Sequence, residues 1–153
     1  MLAEYEQRFY NNALKAYRKL TSGDGEEAKK IIDQRQRYQQ LWDRISLDHP
    51  VTDRDISRLK GGESFQISVD VKLGELQPAE VEVHIYYGPV DSHGNIYESH
   101  YEVMKKISDL KSGEHRYRQE ISCKQSGHYG FTCRVVPSKI DWRKEMPGFI
   151  TWA

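Results

Sequence analysis

From Phe65 to Leu73 the chain alternates between apolar and polar residues. Phe65, Ile67, Val69, Val71 and Leu73 are set against Gln66, Ser68, Asp70 and Lys72, the period of a strand with one buried face. The same period runs from Val81 to Tyr87, with Val83, Ile85 and Tyr87 on one side and Glu82, His84 and Tyr86 on the other. Further strands are expected over Asp53–Leu59, Ser99–Ile107, Glu114–Cys123, Tyr129–Val136 and Gly148–Trp152. Before Pro50 the period is helical. Tyr5, Phe9, Ala13, Ala16, Tyr17 and Leu20 form one apolar stripe, which Thr21-Ser22-Gly23-Asp24-Gly25 stops. Ala28, Ile31, Ile32, Arg35, Tyr38, Leu41, Trp42 and Ile45 then form the face of a second helix, with Asp24 placed to cap it. The pattern predicts a chain that is α+β by content. A helical hairpin over residues 1–48 is followed, over residues 49–153, by a mainly antiparallel, immunoglobulin-like β-sandwich of about seven strands.

Length and charge narrow the function classes. At 153 residues the chain can support a core without metal or disulfide staples. Its 23 Lys and Arg balance 23 Asp and Glu, which removes the general electrostatic pull toward nucleic acid or an anionic membrane, so neither is expected as a partner. The longest apolar runs, Met1-Leu2-Ala3 and Ile85-Tyr86-Tyr87, are far shorter than the ~18 residues of a membrane span, and a soluble, cytoplasmic protein is expected. Cys123 and Cys133 lack the spacing of a zinc or redox motif. On a hairpin turning near Ser126-Gly127 they would stand about 10 Å apart, so both are read as reduced thiols.

Six histidines, His49, His84, His93, His100, His115 and His128, show no ligand spacing, and no metal site is expected. Asp91-Ser92-His93-Gly94-Asn95 superficially resembles a calcium loop but lacks the acidic closing position, so it is read as the turn of a hairpin. A strand, Gly-rich turn and helix in succession, as a phosphate site in a parallel sheet requires, is also missing.

Three segments carry a family resemblance: LGELQPAEVEVHIYYGPVDSHGNI from Leu73 to Ile96, SGHYGFTCRVVP from Ser126 to Pro137, and PGFITWA from Pro147 to Ala153. Together they resemble the C-terminal end of the bacterial and archaeal type of α-glucan phosphorylase. Tyr5, Phe9, Tyr10, Ala13 and Trp42 suit the preceding helices of that family. The resemblance implies a parent enzyme that cleaves terminal α-1,4-glucosidic bonds with inorganic phosphate, releasing glucose 1-phosphate, with pyridoxal 5′-phosphate on a lysine of a two-lobed body. No lysine in this sequence has the neighbours of that cofactor lysine; Lys60 precedes Gly61-Gly62, but in a turn before a strand. No cofactor and no catalytic residue are therefore expected in this chain, and the chain alone is expected to be inactive.

The resemblance also suggests partners. Its implied partner is the catalytic body, on whose lobes the module would have a structural or orienting role. The alternative is an independent α-glucan-binding β-sandwich, because sugar rings stack on aromatic faces. His84, Tyr86 and Trp152 are the candidates for either contact, with packing favoured over sugar. The helical stripe of Tyr5, Phe9, Tyr17, Ile31, Tyr38 and Trp42 is larger than two helices can bury against each other, so a homodimer through the helices is a further expectation.

Overall fold

Residues 25–55, 61–122, 128–138 and 141–153 are described by a computed structural model of the chain. The helix expected over Tyr5–Leu20, the cap expected at Asp24 and half of the stripe assigned to self-association (Tyr5, Phe9 and Tyr17) lie outside them. The chain divides into two units, Met1–Gln40 and Leu41–Ala153. This division precedes the change of residue pattern at 48/49, and the short segment Ser46–Leu47 already pairs with a long strand of the second unit.

Helix α1 (Glu26–Leu41) is rich in Glu, Ala, Lys, Gln and Arg, all strong helix formers. It starts where Gly25, at φ +77°, accepts the backbone N–H of Lys29 at 2.9 Å. Tyr38 is fully buried, and its hydroxyl accepts a bond from Gln34 Nε2 at 2.8 Å. Ile32, by contrast, is 54% exposed and Arg35 is exposed, so the buried stripe is narrower than the pattern predicts and follows Ile31, Gln34 and Tyr38 at helical spacing. The α-helix ends at Leu41, and Trp42–Arg44 tighten into a 3-10 turn that Ile45 N–H closes onto Trp42 O at 3.0 Å. Trp42 and Ile45 are buried, but they lie beyond the α-helix on which the sequence pattern places them.

The second unit consists of antiparallel strands in two sheets. In chain order these are β1 (Ser46–Leu47), β2 (Val51–Thr52), β3 (Ser64–Lys72), β4 (Val81–Pro89), β5 (His100–Val103), β6 (Lys105–Asp109), β7 (Glu114–Ser122), β8 (Tyr129–Pro137) and β9 (Thr151–Trp152). One sheet has the order β1-β3-β7-β6, with β2 on the same edge of β3 as β1, and the other has the order β5-β4-β8-β9. The alternation is realised in β3, where Phe65, Ile67, Val69 and Val71 are buried and Gln66, Ser68 and Asp70 half-buried. In β4 Val81, Val83 and Ile85 are buried and Glu82 and Tyr86 half-buried, but His84 on the outward side is buried too and Tyr87 only half-buried. The sheets face each other. Phe65 and Phe131 approach to 6.4 Å between ring centroids, and Gln119 Nε2 on β7 donates to Glu102 Oε2 on β5 at 2.9 Å. Glu102 also accepts the Tyr87 hydroxyl at 2.8 Å; burial first, then Glu102, pushes that hydroxyl's pKa up to about 12.

Three expectations about strands are corrected. The segment expected as one strand over Ser99–Ile107 is two, β5 and β6, in different sheets. Met104 makes the switch: its N–H donates to Val83 O at 2.8 Å, and its buried sulfur lies 3.7 Å from Cys133 Sγ. The hairpin expected around Ser126-Gly127 does not form, because β7 pairs with β3 and β6 whereas β8 pairs with β4 and β9. Cys133 is a buried free thiol whose pKa burial pushes up to about 12, and Cys123 lies outside the described residues. The strand expected over Asp53–Leu59 is not found over its described part, residues 53–55: β2 ends at Thr52, although Asp53 still bonds β3 by accepting Gln66 N–H on Oδ1 at 2.9 Å. Residues 56–60 lie outside the described set.

Asp91–Asn95 forms a turn whose ends are held by a bridge between Val90 and Ile96. Asp91 Oδ1 accepts the N–H groups of His93 at 2.8 Å and Asn95 at 2.9 Å, and these backbone bonds, led by that of Asn95, hold its carboxyl below the usual range. A one-turn helix, α2 (Trp142–Glu145), precedes β9 and has no counterpart in the periodic pattern.

Candidate functional site

Outward-facing positions on the β5-β4-β8-β9 sheet gather the side chains with chemistry to offer. Because β4 alternates, Glu82, His84 and Tyr86 point away from Val83 and Ile85. Register then sets their neighbours. His84 lies opposite Val103 on β5 and Arg134 on β8, Tyr86 lies opposite Tyr101 and Thr132, and Arg134 lies opposite Trp152 on β9. Paired residues of an antiparallel ladder share a face, so one patch holds His84, Tyr86, Tyr101, Arg134 and Trp152.

Arg134 is the centre of this patch. Its Cζ stands 5.2 Å from the ring centroid of Tyr86, 5.3 Å from that of Tyr101, 5.3 Å from that of Trp142 and 5.2 Å from that of Trp152. Each such contact contributes about 0.5–2 kcal/mol, and four together account for a cation that is only 4% exposed. Tyr86 and Trp152 also meet edge to face, at 5.4 Å and 82°. The edge of the guanidinium is left without a partner. Nε and Nη2 are buried and, among the described residues, make no hydrogen bond, a situation that ordinarily costs about 1–3 kcal/mol or more per charged group. Burial first, then the charge of Arg143, draws the Arg134 pKa below its usual range; Arg143 itself lies 5.2 Å over the Trp142 ring.

His84 is 2% exposed and stacks on Tyr101 at 4.7 Å and 24°. Its Nε2 lies 3.0 Å from Glu82 Oε2, which assigns the ring proton to Nε2 and leaves Nδ1 a buried acceptor without a partner among the described residues. Burial is the largest influence on its pKa and lowers it, Glu82 pulls it back up, and Arg134 and Arg143 push it down. The net result is a neutral imidazole at pH 7. The unfolded chain therefore takes up a proton on this residue first as pH falls through the ordinary 6.5. This contribution to stability is complete above that pH and declines below it. Wild type is thus expected to lose more stability than His84→Gln between about pH 7.5 and about pH 5.5. Urea midpoints for the two proteins check this, and equal losses would remove His84 from the account.

The three residues singled out in the sequence, His84, Tyr86 and Trp152, lie on this one patch. Sequence reasoning missed Arg134, Tyr101 and Trp142. An outward Arg in an alternating strand reads as a solvated charge, and only the sheet order places it among rings. The patch can surround a cation and present a buried guanidinium edge. Cys133, with its raised pKa and its place on the inner face, supplies no nucleophile. Among the described residues no three His, Cys, Asp or Glu side chains cluster to hold a metal, and no helix is long and apolar enough to cross a membrane. A shallow recess lined mainly by Phe65, Tyr87, Ile121, Tyr129 and Phe131, with Ser122 and Gly130, has almost no polar surface to orient a ligand and little room for one.

Comparison with known proteins bears on which macromolecule this patch belongs to. Residues 42–153 match the family described as the glycogen phosphorylase C-terminal domain. The chain is 27% identical over 158 aligned positions to a maltodextrin phosphorylase of Thermococcus litoralis, covering 99% of this chain and 18% of that protein. It is 23% identical over 141 positions to a glycogen phosphorylase of Mycobacterium bovis, covering 90% of this chain and 16% of that protein. The chain thus spans under a fifth of the length of these relatives. A solved structure of Pseudomonas fluorescens alkylpurine DNA glycosylase AlkC, bound to DNA containing an abasic site analog, matches 61% of this chain and 27% of that one. Its identity is 16% and its TM-score 0.40, too slight a likeness to bear on fold or function.

Proposed function

Because the chain belongs to the glycogen phosphorylase C-terminal domain family, we propose that it is the non-catalytic C-terminal module of an α-glucan phosphorylase. The parent enzyme would be cytoplasmic and would phosphorolyse terminal α-1,4-glucosidic bonds to glucose 1-phosphate. Its catalytic body is the partner, and the module stabilises or orients that body's lobes. The two facing sheets are read as an immunoglobulin-like sandwich that packs its β5-β4-β8-β9 face on the body.

The observation that carries this reading is the state of the patch. A glucan platform needs open ring faces and reachable polar groups. Here Arg134 occupies the ring faces, and Arg134 and His84 are 4% and 2% exposed. A pre-packed aromatic cluster of this kind is what an interdomain surface requires. The second reading, an independent α-glucan-binding module, is favoured by Tyr101 and Trp152, which remain 51% and 44% exposed.

Pyridoxal 5′-phosphate is assigned to the parent's body. Among the described residues the helices that follow a strand are a three-residue 3-10 helix, Pro78–Glu80, and the one-turn α2, so the strand, Gly-rich turn and long helix that cradle such a phosphate do not occur in succession. The chain incubated with the cofactor, maltoheptaose and inorganic phosphate is therefore expected to release no glucose 1-phosphate and to form no one-to-one adduct. Turnover together with a stoichiometric adduct on one lysine would contradict the proposal.

A further inference from the structure

We propose that Arg134 receives a carboxylate from an acidic side chain of the protein surface on which this face packs, and holds it through Nε–H and Nη2–H. The proposal rests on the packing role inferred above and names the chemistry of the partner.

Four observations lead to it. The guanidinium is 4% exposed, and the two nitrogens without a hydrogen bond among the described residues are Nε and Nη2. Those two donors lie on one side of the guanidinium and point in parallel, the geometry that matches both oxygens of a carboxylate. The same protein shows the pairing completed elsewhere: Arg116 on β7 donates from Nε to Asp70 Oδ1 at 2.7 Å and from Nη2 to Asp70 Oδ2 at 2.6 Å. On Arg134 the same edge is buried, and neither nitrogen has a hydrogen-bond acceptor among the described residues.

The rings cannot substitute for that anion. Tyr86, Tyr101, Trp142 and Trp152 meet the guanidinium with their π faces, which attract the charge but do not accept the two in-plane N–H bonds. Charge complementarity favours an anion over a sugar hydroxyl. Arg143 adds a second positive charge beside Arg134, and among the described residues no carboxylate is one of the groups that act on Arg134. A hydroxyl would accept one N–H and leave the charge uncompensated. The covers over Arg134 are also the slightest elements of the sheet face: Trp152 is on the two-residue β9, and Trp142 is on the one-turn α2. A small displacement of either ring would admit an acidic side chain.

The test follows the Nε–H resonance of Arg134 in the full chain by proton–nitrogen correlation spectra. Sodium acetate or glutarate is added at constant ionic strength, with sodium chloride, inorganic phosphate and maltoheptaose as separate arms. The expected result is a saturable downfield shift of Arg134 Nε–H with either carboxylate, together with shifts of the Trp142 and Trp152 indole N–H. Arg116 Nε–H, already bonded to Asp70, should stay in place. No saturable shift with carboxylate, an equal shift with chloride, or a shift with phosphate alone would overturn the inference. A shift with maltoheptaose would instead overturn the packing role, so the two failures are told apart.

Discussion

Val69→Asp is expected to unfold the two-sheet unit, whereas Ser68→Asp, one residue away, leaves it standing. Val69 is 1% exposed on the inner face of β3, paired with Tyr117. A carboxylate there has no partner and no water, and such a change costs about 4 kcal/mol or more. That is a large share of the ~5–15 kcal/mol that holds a domain together. Ser68 faces the other way, and its Oγ accepts Arg118 Nε at 3.2 Å. An Asp at position 68 meets that arginine instead of the core and should change stability by about 0.5 kcal/mol or less. Thermal melts of the two variants rank them. If Ser68→Asp is the worse, the face assignment of β3 is inverted, since a one-residue slip exchanges its two faces.

Gly88→Ala is expected to cost more than Gly130→Ala, although the two glycines are register partners on β4 and β8. A methyl on Gly88 would stand 2.9 Å from Ile96 Cγ2, 2.9 Å from Tyr97 O and 3.2 Å from Glu98 O. Two of those atoms are backbone, so relief requires the 96–98 segment to move and the Tyr97 N–H bond to Pro89 O, now 3.0 Å, to stretch. A methyl on Gly130 would stand 2.7 Å from Val90 Cγ1 and 3.3 Å from Ile96 Cγ1, both side-chain atoms, so relief there moves side chains and leaves the backbone in place. Overpacking of this kind costs about 1–3 kcal/mol, and the upper end applies where backbone must yield. Urea midpoints give the ranking, and hydrogen exchange at Tyr97 N–H should speed up in Gly88→Ala alone. Equal exchange in both variants would remove the steric explanation.

The parts of this architecture that were legible in the sequence are those whose period is local. β3 and β4 follow from alternation, and Asp91–Asn95 from turn chemistry. The outward placement of His84 and Tyr86 follows from position on a strand. What could not be read depends on which sheet a strand joins. Tyr101 and Val103 alternate with His100 and Glu102, and the period then breaks at Val103-Met104 and Lys105-Lys106. That break marks an interruption but does not say that Met104 is where the chain passes from one sheet to the other. β7 and β8, close in sequence, read as a hairpin, yet they pair into different sheets. Arg134 is the clearest case. Its strand position says only that it points outward; that it lies among four rings follows from the order β5-β4-β8-β9, joining residues 101, 86, 134 and 152, and from a one-turn helix bearing Trp142. Those distances along the chain leave no local signature. The exposure of Ile32 has a similar origin: a helix carrying more apolar residues than its buried stripe needs shows the surplus only once packed.

Calorimetric titration of the full chain with maltoheptaose tests most directly whether this face is built for packing or for sugar. The packing account predicts no saturable heat at any ratio, because Arg134 lies against the rings and the two charged or titratable groups at its centre, Arg134 and His84, are buried. Saturable binding that Trp152→Ala abolishes, in a variant that melts like the wild type, would contradict it.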